Sequence, residues 1–368
     1  MVGKFDTDVF VIGGGPAGLA AAIAARRKGL RVVLADGTKP PIDKACGEGL
    51  MPDALKAARS LGIPLPAQPG AWFRGIRFLG NAVSAAADFP NGAGWGMRRS
   101  ALHPMLIEQA ASAGVDLRWE TAVTAVEDHR VYARGGVVTA RWVVGADGTR
   151  SRVRKWIGLD SSAGESSRFG LRRRYQIAPW TDYVEVYWGQ GFQIYVTPVG
   201  PNEVCVALIS RDPQRRIEQA LLEFPDLEGR LKDAPASSGD RGALSVSRHL
   251  RAVYRGATAL IGDASGSVDA VTGEGICLSF QQAQAWADAV EQGNLARYQA
   301  AHGRISQRPR LMSTLLLSLD RRPALRRRVL RAFSAKPELF SRMLAAHVGA
   351  ARVTDLAAAG LALSVELL

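Results

Sequence analysis

The sequence predicts an α/β fold in which a dinucleotide-binding parallel sheet carries an inserted antiparallel β-sheet and is followed by a helical C-terminal region. Three observations predict it. Apolar runs ending at Ile12, Val144 and Ile261 each pass straight into a glycine with a polar or acidic residue nearby, as buried parallel strands do where they reach a ligand edge. Residues 168 to 209 instead alternate in the period of two that suits antiparallel strands. Helical segments dominate from Gly275 onward.

The first apolar run leads into Gly13-x-Gly15-x-x-Gly18 and an alanine-rich helix over Leu19 to Lys28. Gly13 permits the tight turn, Gly15 lets the backbone approach a pyrophosphate, and Gly18 lets helix and strand pack closely. Pro16 and Ala17 complete the turn, and the helix N-terminus offers free N–H groups to phosphates. A second strand, Arg31 to Asp36, ends in an acid placed for a ribose hydroxyl. Lys39 to Pro52 holds too many breakers for regular structure and reads as a loop. Helices are expected over 53–61 and Arg99–Ala113, and strands over Trp72–Leu79, Val115–Trp119, Ala122–Glu127 and Arg130–Ala133. Tyr183–Trp188, Phe192–Val196 and Glu203–Ile209 read as antiparallel strands, 213–233 as helical, Gly275–Gln292 as one long helix and 296–350 as further helices. The expected domains are therefore a discontinuous nucleotide-binding unit (1–71, 96–165 and 247–295), a substrate unit (72–95 and 166–246) and a helical region, 296–368.

The chain of 368 residues is long enough for more than one core. Its formal charge of +13 suits nucleic acid, an anionic membrane surface or an acidic cofactor. No nucleic-acid motif supports the first. Arg321, Arg322, Arg326, Arg327, Arg328 and Arg331, interleaved with Leu325, Val329, Leu330 and Phe333, read as a basic amphipathic helix: a solvated face, or a peripheral membrane contact. Cys46, Cys205 and Cys277 are too scattered for a disulfide framework or a zinc site, so no metal is expected. With neither a signal segment nor a run long enough to span a bilayer, a cytoplasmic protein is expected.

Three motifs in order resemble the flavoprotein family of para-hydroxybenzoate hydroxylase-like monooxygenases, geranylgeranyl reductases and flavin-dependent halogenases. They are Gly13-x-Gly15-x-x-Gly18 with Asp36; Asp147-Gly148-Thr-Arg-Ser-Arg-Val-Arg154; and Gly262-Asp263-Ala-Ser-Gly266 followed by Thr272-Gly273-Glu274-Gly275-Ile276. The resemblance covers about residues 6 to 290 and implies a Rossmann-like, glutathione reductase-type FAD-binding domain. It implies that Asp147 closes over the pyrophosphate, that Asp263 binds the ribityl chain, and that Arg99, with Arg98 as competitor, meets the phosphates. Gly273, Glu274, Gly275 and Ile276 would lie at the flavin, where the following helix dipole would stabilise the anionic reduced ring. No second glycine motif marks a separate nicotinamide domain, so NADPH or NADH is expected as a transient reductant at the flavin face, or the electrons come from a partner.

The loop Lys44-Ala-Cys46-Gly47-Glu48-Gly-Leu50 is similar to the Cys-Gly loop of geranylgeranyl reductases, which places Cys46 and Gly47 by the flavin. Cys46, Glu48 and Tyr195 are the candidate catalytic residues. Two departures count against a prenyl reductase. Gln193-Ile-Tyr195-Val-Thr197-Pro198 keeps little of that family's Tyr-x-Trp-x-Phe-Pro lipid motif, and Ala270 replaces a proline. Hydroxylation of a hydrophobic, aromatic or polyketide-like compound is accordingly ranked first, C=C reduction of a prenyl or other lipid second, and non-catalytic FAD binding with docking through the arginine-rich segment third. A missing Trp-x-Trp-x-Ile-Pro stretch argues against halogenation. Oligomeric state is left open.

Overall fold

The computed structural model describes residues 5–80, 83–160 and 166–351; the end of the expected helical region, 352–368, lies outside them. Five parallel strands run in the order Thr258–Leu260, Gly136–Gly145, Thr7–Ile12, Val32–Ala35 and Asp116–Arg118. The Gly136–Gly145 strand is shared. Its first half pairs antiparallel with Arg130–Ala133, and its second half lies parallel to Thr7–Ile12, so a small meander grows directly out of the parallel sheet. The helix Pro16–Arg27 packs on this sheet and against Gly275–Glu291. Five of its alanines, Ala20, Ala21, Ala22, Ala24 and Ala25, are buried, which lets three layers approach closely.

The second sheet has seven strands, ordered Arg241–Ser247, Ser166–Tyr175, Glu203–Ser210, Phe192–Gly200, Tyr183–Trp188, Gly75–Gly80 and Val83–Asp88. It departs from the purely antiparallel expectation at one seam, where Tyr183–Tyr187 lies parallel to Gly75–Leu79. Those strands come from two separate insertions, so no tight hairpin dictates their relative direction. Alternation divides the side chains as the pleat requires. Val184, Val186, Trp188 and Tyr195 face a central cavity, whereas Tyr187, Phe192, Ile194 and Val196 face the other way. The expected helical stretch 213–233 holds two short helices, Ile217–Leu221 and Pro225–Leu231, which cover that outer face. Pro225 lacks an N–H and disfavours helical backbone at Phe224, so the break falls there.

Three helices end the described chain: Leu295–Arg321, Pro323–Ala335 and Pro337–His347. Pro323 and Pro337 sit at the first positions, where a missing N–H costs nothing. The arginine-rich segment is amphipathic as expected, but its apolar face is turned inward. Val329, Leu330 and Phe333 are buried with Phe78 and Phe340 against the Val83–Asp88 strand. Arg321, Arg322, Arg327, Arg328 and Arg331 lie on the exposed side. Contact with a bilayer through this helix would therefore be electrostatic rather than insertive. No helix among the described residues is long and apolar enough to cross a membrane.

Phe333 stacks on Phe340 with centroids 4.9 Å apart and planes at 4°. Phe333→Ala should cost about 3–5 kcal/mol, the range for truncating a buried aromatic. Urea denaturation checks this, and a loss below about 1 kcal/mol would show that the helices are not docked as described.

Candidate active site

The parallel strands bring their C-terminal ends to one edge. Ile12 accepts from the Ala146 N–H (2.8 Å), and Gly145 from the Ile261 N–H (2.9 Å), so the three motif-bearing strand ends are held side by side. Gly13, at φ +112°, leaves only 2.5 Å between an added Cβ and the Ala146 carbonyl oxygen. At Gly18 the same atom would lie 1.8 Å from the Gly13 carbonyl oxygen. Gly18 and Gly262 accordingly act behind the cleft. Neither lines the cavity, and a Cβ on Gly262 would meet that of Ala17 at 2.7 Å. Gly15 is the opposite case: an added Cβ would meet nothing within 4 Å, because the position opens into the cavity together with Pro16 and Ala17.

Each motif acid already has partners. The Asp36 carboxylate accepts from the Gly14 N–H (2.7 Å), the Thr38 N–H (2.8 Å) and the Thr38 hydroxyl (2.6 Å), bracing the turn it was expected to serve. Asp147 accepts from the Ser151 hydroxyl and the N–H groups of Arg152 (2.7 Å) and Val153 (3.1 Å), capping the helix Arg152–Trp156. Asp263 lines the same cleft as Asp147, and its Oδ2 accepts from Lys44 (3.3 Å) and from the Thr149 hydroxyl (3.0 Å). Arg154, 1% exposed, ties the two motifs together by donating to the carbonyls of Thr149 (3.1 Å) and Ala264 (3.2 Å) and to Asp160 (2.8 Å). The last arginine of the Asp-Gly motif thus fixes the spacing between Asp147 and Asp263.

The Cys46 loop is held by ionic contacts. Glu48 takes φ +60° and is buried; its carboxylate accepts from the Arg99 N–H (2.9 Å) and both donors of Arg174, with Arg172 at 3.9 Å. Glu48 therefore clamps the loop between the strand Ser166–Tyr175 and the helix Arg99–Ser112. Cys46 lines the cavity and its Sγ accepts from the Glu48 N–H at 3.4 Å. The Tyr195 ring reaches the cavity, but its hydroxyl donates to the Val271 carbonyl (2.9 Å), and burial raises its pKa. Of the two phosphate candidates, Arg98 is paired with Glu203, whereas Arg99 lines the cavity with a buried Nε that has no protein partner.

Two contributions were not read from the sequence. His103, fully buried, accepts from the Ile42 N–H at Nδ1 (3.3 Å) and donates from Nε2 to the Gly14 carbonyl (2.8 Å), so it bridges the glycine turn and the Cys46 loop. The second is larger. The cavity, about 850 Å³, continues from the phosphate cradle into an apolar chamber walled by Phe78, Trp188, Met312, Leu316, Phe340 and Leu344. Four of those six residues belong to the C-terminal helices. The 3–4 spacing of Phe340, Met343, Leu344 and His347 was the available signal, but a helical period says only that a face is buried, not against what.

Gly273, Glu274, Gly275 and Ile276 line the passage between cradle and chamber. Gly273 is left-handed at φ +70°, and an added Cβ on Gly275 would meet nothing within 4 Å, so backbone N–H groups at the start of the helix Gly275–Glu291 are open to a ligand. The Glu274 side chain turns instead into protein, where burial pushes its pKa up to about 8 despite Arg308 beside it (3.3 Å).

The FAD binding domain family matches residues 6–290. The chain belongs to that family. It is 28% identical over 326 residues to a menaquinone reductase of Mycobacterium tuberculosis, covering 79% of this chain and 78% of that one. It is likewise 28% identical over 298 residues to a digeranylgeranylglycerophospholipid reductase of Methanosarcina acetivorans, covering 73% and 71%. Among solved structures, a flavoprotein/dehydrogenase of Cytophaga hutchinsonii shares the fold, with TM-score 0.80 at 20% identity and coverage of 93% and 92%. The protein is an FAD-dependent oxidoreductase of α/β fold with an inserted sheet and C-terminal helices. The cleft fits the cofactor: Gly15, Gly47, Gly148 and Gly275 leave open space where side chains would stand, and the orphaned Arg99 Nε lines the same space.

Asp263→Ala should weaken FAD binding about ten- to a hundredfold, the worth of a charge-assisted hydrogen bond; titration by flavin fluorescence quenching checks it, and unchanged affinity would remove Asp263 from the site. Acid should destabilise the protein. Burial lowers the pKa of His103, and takes His302 and His347 down to about 4, so below the ordinary imidazole value of 6.5 the folded chain binds fewer protons than the unfolded one. Stability from these groups is full above pH 6.5 and is lost as pH falls toward 4. Denaturation midpoints across that range should fall with acid, and less steeply in His302→Gln; an equal slope would contradict the assignment.

Proposed function

We propose that the protein reduces carbon–carbon double bonds in a hydrophobic, prenyl-type substrate, using FAD reduced by NADPH or NADH. The apolar chamber joined to the flavin cleft carries this reading: Phe78, Trp188, Met312, Leu316, Phe340 and Leu344 leave a long apolar chain better solvated than any polar metabolite. This reverses the order drawn from the motifs, which put hydroxylation first because the strand at Gln193–Pro198 lacks the aromatic pair of the lipid motif. The helices Leu295–Arg321 and Pro337–His347 supply apolar surface that this strand does not. Support also comes from the two relatives named above, a menaquinone reductase and a digeranylgeranylglycerophospholipid reductase.

In this reading, bound FAD supplies the hydride, and the chain's own residues bind, orient and exclude water. Gly13, Gly15, Pro16, Ala17, Arg99 and Asp147 hold the ADP half; Asp36 shapes the turn at the ribose; Asp263 holds the ribityl chain; and Cys46, Gly47 and the Gly273–Ile276 turn meet the ring. Glu48 positions its own loop and Tyr195, from its strand, the Val271 turn, since the hydrogen bonds described above occupy their polar atoms. A cytoplasmic protein drawn to anionic membrane by the exposed arginines near Arg327 fits a substrate that resides in lipid.

The test is NAD(P)H consumption by the FAD-loaded protein with a prenyl quinone and a prenyl phospholipid, in air and without oxygen. Oxygen-independent consumption yielding a saturated bond is the expected result. Consumption that requires oxygen and inserts it into the product would restore hydroxylation.

A further inference from the structure

The turn Gly273–Ile276, which joins cradle to chamber, carries Glu274 between two glycines. Glycine backbone accepts many conformations, so contacts from elsewhere decide where this turn rests. They come at three nearly successive points. The Tyr195 hydroxyl, from the strand Phe192–Gly200, donates to the Val271 carbonyl (2.9 Å). His347, the last residue of Pro337–His347, has Nε2 at 3.1 Å from the Thr272 carbonyl; a carbonyl only accepts, so Nε2 donates. Arg308, on Leu295–Arg321, donates from Nη2 to Glu274 Oε1 (3.3 Å). Each donor belongs to an element that also walls the chamber.

Arg308 has the widest reach of the three. Its Nη2 also donates to Asp53 Oδ2 (3.0 Å), in the first turn of the helix Pro52–Ser60 that follows the Cys46 loop. Its Nη1 lies against Gly349, where φ is +69° and an added Cβ would stand only 1.9 Å away. Gly349 ends the helix Pro337–His347, its N–H bonding back to the Ala346 carbonyl (3.2 Å), and a cation suits that end of a helix dipole. One guanidinium thus pins the Gly273–Ile276 turn, the helix behind the Cys46 loop and a wall of the chamber. A planar fork can serve all three at once, which an ammonium cannot.

We infer that Arg308 is a positioning residue for the flavin: by holding Glu274 it fixes the Gly273–Ile276 turn, and so tunes the redox behaviour of a ring it does not touch. Arg308 itself does not line the cavity. The inference rests on the reading that this turn meets the ring. N–H groups at the start of Gly275–Glu291 stabilise charge on a reduced ring only while they stay within hydrogen-bond reach of it. A displaced turn therefore weakens the hold on the reduced cofactor more than on the oxidised one. Loss of the guanidinium would displace it, because the buried Glu274 carboxyl is then left without this donor and must find another.

The test is the two-electron potential of the FAD-loaded protein, titrated without oxygen, in Arg308→Met and Arg308→Lys. Arg308→Met should weaken binding of reduced FAD about tenfold more than that of oxidised FAD, the worth of a well-placed helix-terminus interaction; for a two-electron couple that lowers the potential by about 30 mV. Arg308→Lys, which keeps the charge without the fork, should fall between this variant and the wild type, and it decides the matter if Arg308→Met does not fold. A wild-type potential together with a lowered melting temperature would make Arg308 a brace only and overturn the inference. Gly275→Ala separates this from the reading beneath it, since the new Cβ meets no protein atom within 4 Å and collides with the ring if the turn faces it. An unchanged flavin spectrum and potential in Gly275→Ala would overturn that reading and the positioning role with it. A shift there with none in the Arg308 variants would overturn the positioning role alone.

Discussion

Close backbone contact at one sheet edge is the constraint on which the molecule depends. The Gly18 Cα sits directly above the Gly13 carbonyl, Gly13 lies against Ala146, and Gly262 lies against Ala17. No side chain larger than hydrogen fits at these three positions without moving backbone or a buried methyl. Their closeness lets one helix N-terminus, one helix cap and one acidic turn face a common cleft. Arg154 and His103 then lock the arrangement from behind by bonding carbonyls that have no strand partner. The cofactor cradle is thus a consequence of how tightly three strand ends pack, and its acids serve the turns as much as the ligand.

The second sheet and the C-terminal helices build the chemistry on that cradle. The pleat sends Val184, Val186 and Trp188 to the cavity and Tyr187 to the outer layer, so one strand serves two cores. The helices close the remaining side with Met312, Leu316, Phe340 and Leu344. A tail that reads as an appendage is therefore a wall of the pocket. Its arginines are left outside because its apolar stripe is spent on the Val83–Asp88 strand.

How far the sequence could be read follows from the range of each interaction. The glycine turn, the Asp147 and Asp263 loops and the strands around them were legible because strand, turn and helix N-terminus are adjacent in the chain. His103 was not: its partners at Gly14 and Ile42 are 89 and 61 residues away, and an isolated histidine in a helix carries no local signal. Glu48 stands out by its loop as a candidate catalytic residue, but its pairing with Arg174, which clamps that loop, spans 126 residues and leaves no local signal. The ranking of hydroxylation over reduction, which our proposed function reverses, has the same origin. It judged the pocket from one strand, Gln193–Pro198, when most of the apolar wall comes from helices more than a hundred residues later.

The central claim is that a hydrophobic chain enters an apolar chamber and leaves with two more hydrogens. Its most direct test is a single turnover of the pre-reduced, FAD-loaded protein with a prenyl quinone under isotopically labelled oxygen, followed by the mass of the product. The account predicts a gain of two hydrogens and no label. A product carrying one labelled oxygen atom at unchanged unsaturation would contradict it.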